Sequence, residues 1–187
     1  MALFYLIRHG EPDYRGCDER GYIGHGRDLA PLSERGISQV LTTATDPRLK
    51  DAEIIVSSPY TRALQTAAII SKETNIHIVV EMDLHEWIPD LTFQYSKLEE
   101  LLESVRDFNR HKGIYPNGET RKWESLDSMR NRVRKVLDKY AHYNIVIMVC
   151  HEMLIKTLVH REKINYAEII DYEYEIGKAF EPFYFED

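Results

Sequence analysis

Apolar positions along the chain follow two periods. Four short runs, Ala2–Ile7, Glu53–Ser57, Ile76–Val80 and Ile145–Cys150, are the expected strands. Three of them are almost continuously apolar, as in strands covered on both faces within a mostly parallel sheet. Helical spacing fills the stretches between. Ser33 offers an N-cap for a helix through Thr43, with Glu34 in its first turn. Ser58-Pro59 reads as the N-cap and first helical position of a helix through Ile70. Leu98, Leu101, Leu102, Val105 and Phe108 form one helical stripe. Trp123, Leu126, Met129, Val133, Val136, Leu137 and Tyr140 form a longer one, and both stripes are expected to face the core. A last helix is expected from just after His151 to about His160. The acidic, aromatic C-terminal stretch reads as an edge strand or two over the sheet. The alternation of strands and helices predicts a doubly wound or layered α/β sandwich.

Composition narrows the setting. A chain of 187 residues, 43% of them hydrophobic, can bury a real core without staples and is expected to form a single domain. Cys17 and Cys150 are far apart and make no CxxC pair, which fits a reducing compartment. The apolar start is too short for a secretory leader and is cut off by Arg8, and no run approaches a membrane span. The expected location is the cytoplasm. A net charge of -7 argues against nucleic acid as a partner, because a phosphate backbone needs clustered positive charge. No repeat or linker divides residues 1–187.

The unusual residues then fall into one pattern. Arg8 and His9 follow the carboxyl end of the first strand, Arg62 lies in the first helical turn after the second, and His151 follows the strand IVIMVC. Ligands of open α/β sheets bind outside the carboxyl ends of the strands, so two arginines and two histidines are expected to converge on one crevice. Such a cluster inside an acidic protein calls for an anion, and planar, bidentate arginine favours phosphate or carboxylate. A neutral imidazole among arginines is a competent nucleophile toward phosphorus. The leaving alkoxide then needs a carboxylic acid of raised pKa, and Glu86 in MDLHEW is the candidate, with Glu81 and Asp83 as alternatives and His85 as a minor one. The remaining histidines, His25, His77, His111, His142 and His160, read as surface or packing residues. HEMLI is no zinc motif, since HExxH would need a histidine at Ile155.

Taken in order, Arg8-His9-Gly10-Glu11, PLSERGISQV, SSPYTRALQTA, MDLHEW, NGET and VCHEMLIKTLV resemble the motifs of the histidine phosphatase superfamily, the phosphoglycerate mutase-like group, over roughly residues 3 to 160. The resemblance implies a three-layer α/β/α sandwich with a mostly parallel central sheet. It implies that His9 is the phosphorylated nucleophile, that Arg8, Arg62 and His151 form the phosphate pocket, and that Glu86 donates the proton. It also implies that no metal or organic cofactor takes part. Three positions depart from the pattern. The asparagine that many members carry shortly after RHGE is missing, leaving Tyr14, Arg15 or no residue in its place. Trp87-Ile88-Pro89-Asp90 follows the donor in place of a glycine-rich turn. Glu152 stands where glycine often follows the second histidine; as the first residue of a helix its N–H can face the phosphate while its carboxylate points away.

The expected activity is a metal-independent phosphatase acting on a small phosphorylated metabolite, with a phosphoglycerate mutase-type transferase or a non-catalytic phospho-ligand module as the alternatives. A cap insert is expected at about 87–121. Its cations Lys97, Arg106, Arg110, His111, Lys112, Arg121 and Lys122 read either as a solvated helix face or as the holder of a second anionic group. Trp87, Phe93 and Tyr95 offer a flat apolar wall for an organic moiety. Gly10 is expected to let the backbone turn close to the anion.

Overall fold

The computed structural model describes residues 1–185. Its centre is a five-stranded sheet in the order β3-β2-β4-β1-β5. The strands are β1 (Ala2–Arg8), β2 (Ile54–Ser57), β3 (Ile78–Val80), β4 (Ile145–Cys150) and β5 (Ile169–Tyr174). The first four run parallel and β5 lies antiparallel on the β1 edge. Among the described residues there are six α-helices: α1 (Arg15–Glu19), α2 (Glu34–Ala44), α3 (Thr61–Thr74), α4 (Leu98–Arg110), α5 (Leu126–Tyr140) and α6 (Glu152–Lys156).

The strands are apolar without alternation because both faces are covered. Tyr5, Ile7, Ile55, Ile147 and Val149 pack with Val40 and Ala44 of α2 and with Ala63, Ala67 and Ile70 of α3. Phe4, Leu6, Val56, Val146 and Met148 face the other way, onto Met129, Val133 and Leu137 of α5 and onto Leu154 and Ile155 of α6. This is the expected three-layer α/β/α sandwich. Each fully buried Leu, Ile or Phe in these layers contributes about 1.5–3 kcal/mol. Among the described residues no helix is long and apolar enough to cross a membrane.

Several expected elements shift. α2 starts as read, with Ser33 Oγ accepting the Gly36 N–H at 2.9 Å. α3 starts at Thr61, not at Pro59: the Ser58 N–H still extends the strand ladder to the Val149 carbonyl at 2.9 Å, so Tyr60 becomes the N-cap. That helix runs past Ile70 to Thr74 and stops at Asn75 in the left-handed conformation. α6 ends at Lys156 instead of near His160, where the Thr157 hydroxyl bonds back to the Leu154 carbonyl at 2.7 Å. The α4 stripe does not simply face the core. Phe108 is buried, Leu101 and Val105 are half-buried, and Leu98 and Leu102 are exposed. The C-terminal stretch supplies one edge strand, β5, and then Phe183, which packs edge-on against Phe108 at 5.6 Å.

Candidate active site

Strand register assembles the floor of the site. β1 and β4 are neighbours with Arg8 opposite Cys150, so the next residues, His9 and His151, emerge side by side. The His9 N–H extends that ladder to the Cys150 carbonyl at 3.1 Å, and the two imidazole centroids lie 5.1 Å apart, edge to face. β2 pairs with β4 on the other side, Ser57 against Val149, which brings Ser58 to His151. Four residues further on, in the first turn of α3, Arg62 reaches back to His9.

A hydrogen bond assigns the tautomer of His9. His9 Nδ1 lies 2.7 Å from the Gly10 carbonyl, which can only accept, so Nδ1 carries the proton and Nε2 the lone pair. Arg62 Nε donates to that Nε2 at 3.2 Å. Ser58 Oγ accepts the Tyr60 N–H at 3.3 Å and hydrogen-bonds His151 Nε2 at 2.7 Å. His151 Nδ1 is buried with no protein partner. Both rings are held neutral: burial pushes their pKa values well below the ordinary 6.5, and the Arg62 charge pushes the same way.

Arg8 is fixed from three sides. Its Nη1 donates to the Ile164 carbonyl and pairs with Glu152 Oε2 at 2.7 Å, and its guanidinium lies 4.0 Å over the Tyr166 ring. Its Nε is buried without a partner. Glu152 lies outside the lining of the cavity above this floor, its carboxylate held by Arg8 and by Lys156 at the other end of α6.

A cavity of about 340 Å³ opens above this floor. Arg8, His9, Arg62 and Glu86 all line it, whereas His151 and Glu152 lie outside its wall. Glu86 accepts the Trp87 N–H on one oxygen at 2.8 Å and the Met153 N–H on the other at 3.4 Å. Burial nonetheless raises its pKa, outweighing those bonds and the pull of Arg62 and Arg8. The alternatives fall away: Glu81 is bound to Lys139 and Tyr140, and Asp83 does not reach the cavity. Of the two stand-ins for the missing asparagine, Tyr14 lines the cavity, while Arg15 is exposed and paired with Asp13 at 2.6 Å. Gly10 also needs a different explanation. A Cβ there would lie 2.6 Å from the Gly36 carbonyl and 2.8 Å from Val40 Cγ2, so its bareness serves the close approach of α2.

The segment 87–121 folds over this opening. Trp87, Phe93, Tyr95, Lys97, Leu98, Leu101 and Val105 line it, so an apolar helix stripe read as core serves partly as cavity wall. Of the expected cations only Lys97 faces this space. Arg106, Arg110, Arg121 and Lys122 line a separate, larger cavity of about 880 Å³ beyond α4.

Several residues escaped sequence reasoning. Arg132 is buried on α5, forms a two-oxygen ion pair with Glu124 at 2.8 and 3.0 Å, and donates to the carbonyls of Asp83 and His85, both at 2.7 Å. It thereby clamps the loop that carries Glu86. The available signal was an arginine three residues after Met129 on an otherwise apolar helix face. Asp28, Tyr60 and Tyr166 carried no such signal. His25, read as a surface or packing residue, stands on the cavity wall.

Comparison with known proteins places this geometry. Phosphoserine phosphatase 1 of Hydrogenobacter thermophilus is 28% identical over 174 residues, covering 84% of this chain and 74% of its own. The uncharacterized phosphatase PhoE of Bacillus subtilis is 30% identical over 162 residues, covering 85% and 76%. The fold matches that of Bacillus stearothermophilus YhfR with a TM-score of 0.69 and 22% identity, over 97% of this chain and 95% of that one. It matches a phosphoglycerate mutase from Bacillus anthracis with a TM-score of 0.70 and 20% identity, over 97% and 92%. Residues 4–173 match the family profile itself, and the chain belongs to the histidine phosphatase superfamily (branch 1).

Proposed function

We propose that the protein hydrolyses a small phosphomonoester through a phosphohistidine on His9, without a metal or organic cofactor. The observation that carries this reading is the unprotonated Nε2 of a buried, neutral His9, held by Arg62 in a cavity shared with a carboxyl group of raised pKa. Nε2 attacks phosphorus, the P–O ester bond breaks, and the alkoxide takes the Glu86 proton. Water then attacks the phosphorus as the Glu86 carboxylate removes its proton, and the P–N bond breaks to release phosphate and restore His9. Arg8 and Arg62 neutralise the transferring group. Among the buried polar atoms left without partners, Arg8 Nε and His151 Nδ1 stand beside His9, where a phosphoryl group would meet them. Segment 87–121 acts as the cap that encloses the organic group. The two free, buried cysteines fit the reducing cytoplasm.

Brief exposure to a labelled phosphomonoester, followed by a quench, is the test. An acid-labile, base-stable label is expected on wild-type protein and none on His9→Ala, with turnover of p-nitrophenyl phosphate reduced roughly 10⁴-fold and unchanged by a chelator in the wild type. Base-labile label, or turnover abolished by chelation, contradicts the mechanism. Isomerised product without free phosphate identifies a mutase instead.

A further inference from the structure

Asp28 is an acid in a place built for anions. It lies in the 3-10 turn Gly24–Leu29 and lines the same cavity as His9 and Glu86. Its Oδ1 accepts from Arg62 Nη1 at 3.2 Å, and its Oδ2 lies 3.1 Å from His25 Nδ1. The Arg62 guanidinium therefore joins the nucleophile, through Nε, to a carboxylate, through Nη1. A phosphoryl dianion that engages this guanidinium meets a second fixed negative charge on its far side. Left uncompensated, that charge weakens every substrate the site binds.

The surroundings of Asp28 suit a cation. Tyr14, Tyr60, Phe93 and Tyr95 line the cavity with it. The phenols of Tyr14, Tyr60 and Tyr95 are held protonated, chiefly by burial, and the Asp28 charge reinforces the effect on all three. Phe93 comes from the cap. It adopts a φ of 57°, unfavourable for a residue with a Cβ, and there its ring stacks on His25 at 4.3 Å. A carboxylate in an aromatic-lined cavity is the combination that holds an ammonium group, by the Asp28 charge and by ring quadrupoles of the wall.

The geometry points to Asp28 as the ammonium-recognising residue of this site, and to phosphomonoesters of short amino alcohols as its substrate class. This rests on the phosphatase reading of His9 and deepens it. The phosphoryl group takes over Arg62 while the ammonium takes over Asp28, so a zwitterionic substrate replaces one internal ion pair by two. An ester whose tail is neutral or anionic separates Asp28 from Arg62 and offers it nothing.

Two pairs of compounds test this, each differing only by ammonium against hydroxyl: O-phosphoserine against 3-phosphoglycerate, and O-phosphoethanolamine against ethylene glycol monophosphate. In the wild type kcat/KM is expected to favour the amine at least about tenfold in both pairs. In Asp28→Asn, which keeps the side-chain size, the ratio is expected to fall to within about twofold. A wild-type ratio near one, a preference confined to one pair, or an unchanged ratio in Asp28→Asn overturns the assignment. The two readings fail separately. Absence of p-nitrophenyl phosphate hydrolysis in the wild type counts against the phosphatase, whereas calorimetric binding of the same four compounds to His9→Ala ranks amine against hydroxyl with no turnover at all.

Discussion

The floor and the roof of the cavity are built by different physics. The floor hangs on the sheet: His9 and His151 each follow the last residue of neighbouring parallel strands, and Ser58 and Arg62 follow the next strand over. Their positions are set by backbone ladders, and Arg8 Nε and His151 Nδ1 are the buried polar atoms left there without a partner. The roof, residues 87–121, comes after a short edge strand and shares the cavity lining with the floor. It exposes Leu91, Leu98, Leu102 and Ile114 and divides its charges between two cavities. On the proposed phosphatase reading, the floor carries the reaction and the roof selects the tail. Just before the roof, the Arg132–Glu124 pair is a joint that holds the loop carrying Glu86 against α5.

Substitutions that respect or violate this division sharpen it. The largest effect is expected on the floor. Arg62→Ala removes the guanidinium bound to His9, and kcat/KM should fall by roughly 10³–10⁵ for every substrate alike. A loss confined to particular substrates would assign Arg62 to the tail and break the distinction. The joint comes next. Arg132→Met leaves Glu124 as an unpaired buried charge, which should cost about 3–5 kcal/mol of stability, read as a thermal midpoint lowered by roughly 10 °C. Arg132→Met combined with Glu124→Gln should recover part of that loss, and no recovery would mean that the pair is not the coupling element. The smallest effect belongs to the roof. Leu101→Ala should raise KM by about tenfold for esters with bulky apolar tails while leaving kcat, and all parameters for the smallest esters, near wild type. A fall in kcat across all substrates would show the cap acting on the chemistry.

Legibility followed the same division. His9, Arg62 and His151 could be placed from the chain because each follows an apolar strand whose end is visible in sequence, and parallel strands share one carboxyl edge. Glu86 was legible as the acid after the third strand, but the choice over Glu81 needed the structure, where Lys139 and Tyr140 occupy Glu81. Asp28 was illegible because a lone aspartate in a polar loop has no periodic signal, and its meaning lies in Arg62, 34 residues away. Helix spacing also misassigned the α4 stripe, since an apolar face reads the same whether it meets core or cavity.

Local rules of burial and period thus determined the strands, the helices, the covered sheet and the chemistry carried at its carboxyl edge, because each rests on neighbours within a few residues. Which helix face lines the cavity, which acid is free to donate a proton, and where Glu152, Asp28 and Arg132 spend their charges were decided only by tertiary structure. Those outcomes depend on partners brought together across the fold, and no local pattern encodes a partner.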